Sequence, residues 1–206
     1  MPPSKTVIES YSKISKWFDE HRSRDLFEKA WLDKAIAYLK PNASILDLGC
    51  GMGEPIAQYF IDRNFQLTGV DGCQELINMA KQRLSSGCFL IGDMRELSLS
   101  CKFDLTIAWH SFFHLSQNDQ REMFKTFASH LNDGGILLFT SGNEAGEVWS
   151  NNGGENLYHA SLSPNEYKTL LNQYGFELLD HKTSDPECGD ATVWLAKFKP
   201  IKKPLP

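Results

Sequence analysis

The chain has 206 residues, 41% of them hydrophobic and 23% charged, with a net charge of −5. That length suits one domain with a full-sized core, and the acidic balance argues against a general nucleic-acid binder, whose surface would be strongly basic. No apolar run approaches the ~20 residues a membrane span needs, the N-terminus shows no basic-then-apolar signal pattern, and five scattered cysteines without a C-x-x-C pair suggest reduced, cytoplasmic thiols.

Residues 6–18 read as an amphipathic helix, because Val7, Ile8, Tyr11, Ile14, Trp17 and Phe18 recur at three- and four-residue spacings. A second helix is expected from about Arg24 to Leu39, ending before Pro41, with Leu26, Phe27, Ala30, Trp31, Ala35, Ile36 and Leu39 as its apolar face. Ser44–Leu48 is a short apolar run broken only by Asp47, and it stops at Gly49-Cys50-Gly51-Met52-Gly53-Glu54-Pro55. This reads as a buried strand, a tight glycine-rich turn and a helix over about 54–63. The glycines let a ligand approach the backbone, Pro55 suits a first helical turn, and free N–H groups there favour an anionic or hydrogen-bond-accepting ligand.

A dinucleotide fingerprint would need glycine where Glu54 stands. Asp47, two residues before the first glycine, repels a pyrophosphate and suits an ammonium group. Asp71 closes the next strand, Gln66–Val70, about 20 residues on, where an acid grips ribose hydroxyls. Ribose plus an ammonium group, with no pyrophosphate, describes S-adenosylmethionine better than NAD. A helix over about 74–85, with Leu76, Ile77, Ala80 and Leu84 inward, leads to strand Cys88–Ile91 and then Gly92-Asp93-Met94. Asp47, Asp71 and Asp93 therefore converge on the sheet edge where α/β proteins bind ligands, outside the carboxyl ends of the strands.

Strand Phe103–Ala108 leads to Trp109-His110-Ser111-Phe112-Phe113-His114-Leu115. His110 and His114 would share a helical face, a metal-pair spacing, but no Glu adjoins His110 and no third ligand is near, so no metal is assigned. Histidine titrates near neutrality, which makes His114 the first choice for a general base. The alternative is a His114 that packs beside Phe113 and hydrogen-bonds backbone. A helix starts at the Ser116 N-cap, with Asp119 at its third position. It buries Met123, Phe124, Phe127, Ala128 and Leu131, and Gly134-Gly135 end it before strand Ile136–Thr140. Ser141–Ser161 reads as a long polar loop, a length that is usually functional or mobile. Ser163-Pro164-Asn165-Glu166 is a capping box that opens a helix ended by Gly175. Strands over Phe176–Lys182 and Ala191–Phe198 follow, and the lysine- and proline-rich tail reads as solvated.

The glycine-rich turn, Asp71, Gly92-Asp93-Met94, Phe103–Ala108 and Asn132-Asp133-Gly134-Gly135 before Ile136–Phe139 come in the order typical of class I S-adenosylmethionine-dependent methyltransferases, which the chain resembles from Ile45 to about Phe198. The resemblance implies an α/β fold: a Rossmann-like, doubly wound sheet of seven strands, mostly parallel with an antiparallel last strand, plus N-terminal helices. It implies one domain over 1–206, with 1–40 as a helical cap, 41–199 as the α/β core and 141–161 as a flap or substrate loop. S-adenosylmethionine is the implied cofactor, S-adenosylhomocysteine the product, and the reaction an SN2 methyl transfer to a small-molecule acceptor. The proline-containing segment common in amide- and base-methylating relatives is missing after Ala108, which points away from nucleic acid.

On this resemblance Asp47, Gly49, Cys50, Gly51, Gly53, Asp71, Gly72, Asp93, Met94 and Trp109 bind the cofactor. Asp93 would accept from an adenine amino group and Met94 would cover the ring. His110, Phe113, Tyr158, His159, Tyr11 and Arg22 are the expected acceptor contacts. Trp109, Phe112 and Phe113 would line the pocket beside the sulfonium. His110 stands where relatives tend to carry an acid. For Tyr11, Trp17 and Arg22 plain packing or solvation remains the alternative, and for 141–161 a surface insertion. The protein is expected to be a cytoplasmic monomer or homodimer with no membrane or nucleic-acid partner. Two rival functions remain: a non-catalytic S-adenosylmethionine-binding regulatory module, and an NAD-type oxidoreductase, which Glu54 and Asp47 oppose.

Overall fold

The computed structural model describes residues 3–201; residues 202–206 of the tail lie outside them. Five strands, β1 (Ser44–Leu48), β2 (Gln66–Asp71), β3 (Cys88–Ile91), β4 (Phe103–Ala108) and β5 (Leu131–Ser141), run parallel. Two more, β8 (Phe176–Asp185) and β9 (Ala191–Phe198), complete a seven-stranded sheet in the order β3-β2-β1-β4-β5-β9-β8. The last strand, β9, is antiparallel to both neighbours. The chain order reverses between β1 and β4, and a crevice opens at such a switch point.

Successive strand residues face opposite sides of a sheet, so a sheet covered on both faces reads as a continuous apolar run. In β5, Ile136 and Leu138 join the core beneath α2 (Lys29–Ile36), α3 (Ile56–Ile61) and α4 (Gln74–Arg83), while Leu137 and Phe139 join that beneath α5 (Gln117–His130) and α6 (Pro164–Gln173). Buried Trp31 ties α2 to β8 by donating from its indole N–H to Asp185 over 2.9 Å.

Several elements depart from their expected bounds. The second helix begins only at Lys29, because Leu26 takes a left-handed φ of 51° that no helix interior allows, and Phe27 is left exposed instead of facing the core. The helix after the glycine turn starts at Ile56, with Pro55 as its N-cap. Helix α5 stops at His130, not at the glycines. Leu131 already pairs with Phe103, and the register then shifts so that Ile136 pairs with Leu105. The intervening Asn132 donates to Asp104 over 2.8 Å, which holds the irregular stretch on the sheet.

The largest correction concerns 141–161. This stretch is a β-hairpin, β6 (Gly146–Asn152) and β7 (Glu155–Ser161), not an irregular loop. Gly153 and Gly154 both have positive φ, 58° and 88°, which a mirror-image two-residue turn requires. Helix α1 (Pro3–His21) anchors the hairpin, with Val7 and Ile14 packed among Leu157, Tyr158 and Ala160. The other side of α1 places Tyr11 and Phe18 beside Met52, Cys73 and Leu76. Thus α1 bridges the hairpin and the glycine-rich turn. Among the described residues no helix is long and apolar enough to cross a membrane.

Candidate active site

The glycine-rich turn is fixed by backbone. The N–H groups of Gly49 and Cys50 both donate to Val70 carbonyl, at 2.7 and 3.1 Å. Gly49 has a φ of +75°, and a Cβ there would lie 2.2 Å from Ser111 Cβ. Ser111 Oγ donates to Leu48 carbonyl over 2.6 Å, locking the end of β1 to the segment after β4. Asp71 accepts from Gly51 N–H through one carboxylate oxygen and from Cys73 N–H through the other, each at 2.8 Å. A carboxylate has about four acceptor positions, so Asp71 retains capacity toward the cleft.

Asp47 is only 3% exposed. Burial, reinforced by the negative charges of Asp71 and Glu28, pushes its carboxyl up to about 7, and Arg22 only partly opposes this. Burial also raises Asp71, while its two backbone donors pull the other way. The side chain of Arg22 donates to Glu28 over 3.1 Å and to Ser23 carbonyl over 3.2 Å. At the third strand's end Asp93 caps the following turn by accepting from Arg95 N–H, and its carboxylate is also paired with the Arg95 guanidinium.

The opposite wall is made by α1, the short turn Phe112–His114 and the hairpin. His114 Nδ1 lies 2.8 Å from Tyr158 carbonyl, which can only accept, so Nδ1 carries the proton. The bare Nε2 then accepts from Tyr11 O–H over 3.2 Å. Burial pushes His114 down to about 3 and His110 down to about 4, so both rings are neutral. His110 has a φ of 50° and its N–H donates to Thr140 Oγ1 over 2.8 Å, a turn that swings the ring into the cleft. His159 stacks on Phe113 with ring centres 5.0 Å apart.

These walls bound two adjoining, half-open cavities. The first lies over the glycine-rich turn, Asp47, Asp71 and Met94. The second, about 220 Å³, lies against the hairpin, and Tyr11, Phe18, Arg22, His110 and His114 line both.

The model of the family described as "Methyltransferase domain" matches residues 18–181. The chain belongs to this methyltransferase family. Among relatives, YqeM of Bacillus subtilis is 35% identical over 135 residues, 63% of this chain and 54% of that protein. The chain therefore spans about half the length of YqeM. The ubiquinone/menaquinone biosynthesis C-methyltransferase UbiE of Campylobacter jejuni is 24% identical and matches 96% of this chain and 99% of its own. The fold resembles that of Burkholderia thailandensis 1,6-didemethyltoxoflavin-N1-methyltransferase, solved with 1,6-didemethyltoxoflavin and S-adenosylhomocysteine bound. The TM-score is 0.73 at 18% identity, covering 97% of this chain and 91% of that one.

The cleft brings together most of the residues singled out from the sequence. Asp47, Gly49, Cys50, Gly51, Asp71, Gly72, Asp93, Met94 and Trp109 line the first cavity, with Tyr11, Arg22, His110 and His114; Phe113 and His159 line the second. Three expectations are corrected. Gly53 faces Leu84 and Phe89, where a Cβ would clash, and so serves packing. The Tyr158 side chain is buried in the α1–hairpin cluster, and only its carbonyl reaches the site, through His114. Phe112 is fully buried among Phe124, Phe127, Phe139 and Tyr167. Sequence reasoning missed Met52, Glu54, Ser111 and Arg95 in the first cavity and Asn152 and Leu157 in the second. Met52 and Glu54 lie inside the glycine motif itself and were legible there; Ser111 and Arg95 carry no local signal.

Proposed function

We propose that the protein is an S-adenosylmethionine-dependent methyltransferase acting on a small-molecule acceptor. The observation that carries this reading is the buried pair of acids at the ends of β1 and β2. Burial, with the charges of Asp71 and Glu28, holds Asp47 partly protonated against the opposing pull of Arg22, and Asp71 is aimed into the cleft by two backbone donors. Such a wall fits a guest that brings an ammonium group and hydroxyl donors together.

On this reading Asp47 faces the amino group, Asp71 the ribose hydroxyls, and Asp93 with Met94 the adenine. When bound, the cofactor supplies an electrophilic methyl group on a positively charged sulfur. The chain supplies alignment and a dry cavity. Helix α1 covers part of the cleft, and the Tyr11–His114–Tyr158 chain fixes the wall between the two cavities. His114, held neutral with both ring nitrogens engaged, braces that wall. It serves as the base only if Tyr11 releases it. The names of UbiE and the toxoflavin enzyme refer to ubiquinone and menaquinone biosynthesis and to 1,6-didemethyltoxoflavin, which supports a small-molecule acceptor here. Five free cysteines support a cytoplasmic setting, where the protein acts as a monomer or homodimer without nucleic-acid or membrane partners.

The test is release of S-adenosylhomocysteine from S-adenosylmethionine across a panel of small molecules. Acceptor-dependent release is expected. Cofactor binding with no release on any acceptor would favour the non-catalytic regulatory module.

A further inference from the structure

The second cavity differs in chemistry from the first. Among the described residues that line it there is no carboxylate, and its only formal charge belongs to Arg22. Its histidines, His110, His114 and His159, are all held neutral by burial. A cationic amine would find no carboxylate on that lining, whereas a hydroxyl or anionic group would face a guanidinium that also donates to Glu28. One wall is aromatic, formed by Phe113 stacked on His159 with 22° between the ring planes. His159 is fixed in that stack by Ser150 Oγ, 2.9 Å from its Nε2. The volume of about 220 Å³ exceeds the ~150 Å³ known to take a benzene ring, so a substituted ring has room.

His110 supplies a direction. Its ring touches Trp109 and Phe113, opens onto both cavities, and makes no side-chain hydrogen bond among the described residues. A neutral imidazole offers one bare nitrogen that accepts a hydrogen bond. The left-handed backbone that points it into the cleft is a costly conformation for a residue with a Cβ, of the kind that concentrates at functional sites.

We propose that the second cavity is the seat of the methyl acceptor and takes a single planar aromatic ring bearing a hydroxyl group, stacked against Phe113 and His159 with its O–H donated to His110. The proposal deepens the methyltransferase reading and rests on it. His110 accepts the hydrogen bond and turns an oxygen lone pair toward the first cavity; as the oxygen–methyl bond formed and the sulfur–methyl bond broke, the hydroxyl proton would pass to the bare His110 nitrogen and the sulfide would leave as S-adenosylhomocysteine. Arg22, at the boundary, favours hydroxyl or oxyanion over ammonium.

The test is a set of calorimetric titrations with 4-nitrophenol, nitrobenzene and benzylamine, with and without S-adenosylhomocysteine. The protein is wild type, Asn152→Trp and His110→Ala, each also titrated with S-adenosylhomocysteine alone. Asn152 lines only the second cavity, at the rim of the hairpin, so the bulky replacement fills that cavity from outside. Wild type is expected to bind 4-nitrophenol about tenfold more tightly than benzylamine, and Asn152→Trp to weaken it by about tenfold. The same variant should leave S-adenosylhomocysteine affinity unchanged. His110→Ala should reduce the preference for 4-nitrophenol over nitrobenzene. Equal or tighter benzylamine binding, or 4-nitrophenol binding untouched by Asn152→Trp, would overturn the proposal while S-adenosylhomocysteine binding keeps the methyltransferase reading intact. Loss of S-adenosylhomocysteine binding in folded wild type, with 4-nitrophenol still bound, would instead overturn the methyltransferase reading and the acceptor role with it.

Discussion

The two sides of the cleft treat buried charge in opposite ways. On the β1–β2 side burial lifts Asp47 to about 7 with a second acid, Asp71, nearby. On the hairpin side burial lowers His114 to about 3 and His110 to about 4. Arg22 lines both cavities; two acids outnumber it on the first side, which gains from a cationic guest, while on the second it stands among neutral imidazoles, which suit a neutral or anionic one. The sides also differ in construction. The first is held by backbone groups of the glycine-rich turn and the end of β1, bonded to the end of β2 and to Ser111, the second by side chains drawn from α1, the segment after β4 and the hairpin. The difference teaches that the acidic wall depends on one local motif, whereas the imidazole wall depends on three segments meeting in the fold.

Gly49→Ala should break the rigid side most severely. The new Cβ meets Ser111 Cβ at 2.2 Å on a backbone with φ of +75°, and the combined overpacking and left-handed strain should cost roughly 3 kcal/mol. Urea unfolding measures it, and a loss below ~1 kcal/mol would mean that Ser111 yields easily and the lock is not a lock.

On the other side, His114→Ala leaves Tyr158 carbonyl and Tyr11 hydroxyl without their partner, a loss of about 1–3 kcal/mol. It should also change the pH profile. A histidine depressed by folding contributes stability that is present above its ordinary pKa of about 6.5 and fades as pH falls toward about 3. The variant's thermal midpoint should therefore depend less on pH below neutrality than the wild type's. Parallel curves would show that His114 is not the acid-sensitive brace.

Asp47 carries the opposite sign. An acid raised by folding binds its proton more tightly in the native state, so its contribution to stability falls as pH rises from about 4 to about 7 and is flat above. Asp47→Asn should thus raise the thermal midpoint at about pH 8 while weakening S-adenosylhomocysteine about tenfold. Affinity in the wild type should climb between about pH 6 and pH 8, and the variant should lack that climb. A variant that lost stability and kept affinity would remove the ammonium-facing role.

The smallest effect concerns the clamp joining the two sides. Asp19 on α1 takes both of its contacts with Arg83 at 2.6 Å, and Arg24 bridges Asp19 and Glu54. These groups are partly exposed, so Asp19→Asn should cost about 0.5 kcal/mol, and high salt should shrink the difference from wild type. A salt-independent difference would point to packing rather than charge.

What was legible in the sequence follows the same division. The glycine turn, Asp47 and Asp71 announce themselves because a strand, a turn and an acid at fixed spacing are contiguous in the chain. The doubly wound seven-stranded sheet with its antiparallel last strand came from the family resemblance that those motifs carry. The hairpin was missed although Asn152-Gly153-Gly154 is a turn signal, because β6 lies exposed and shows no apolar alternation to pair with it: Val148 is 60% and Trp149 53% exposed. Tyr158 was misplaced for the same reason, since only an ordered β7 turns its side chain into the α1 cluster. Ser111 could not be singled out, because a small hydroxyl gains meaning only when β1 and β4 bring it against Leu48. Glu28, buried and paired with Arg22, was hidden behind the overlong second helix.

The most direct measurement is a calorimetric titration of S-adenosylhomocysteine, with NAD in parallel, into wild type and Asp71→Ala shown to be folded by circular dichroism. The account expects wild-type binding on the order of micromolar, no NAD binding, and loss of S-adenosylhomocysteine binding in the variant, because Asp71 both faces the guest and holds Gly51 and Cys73 in place. No S-adenosylhomocysteine binding to folded wild type, clear NAD binding, or an Asp71→Ala variant that binds as well as wild type would contradict it.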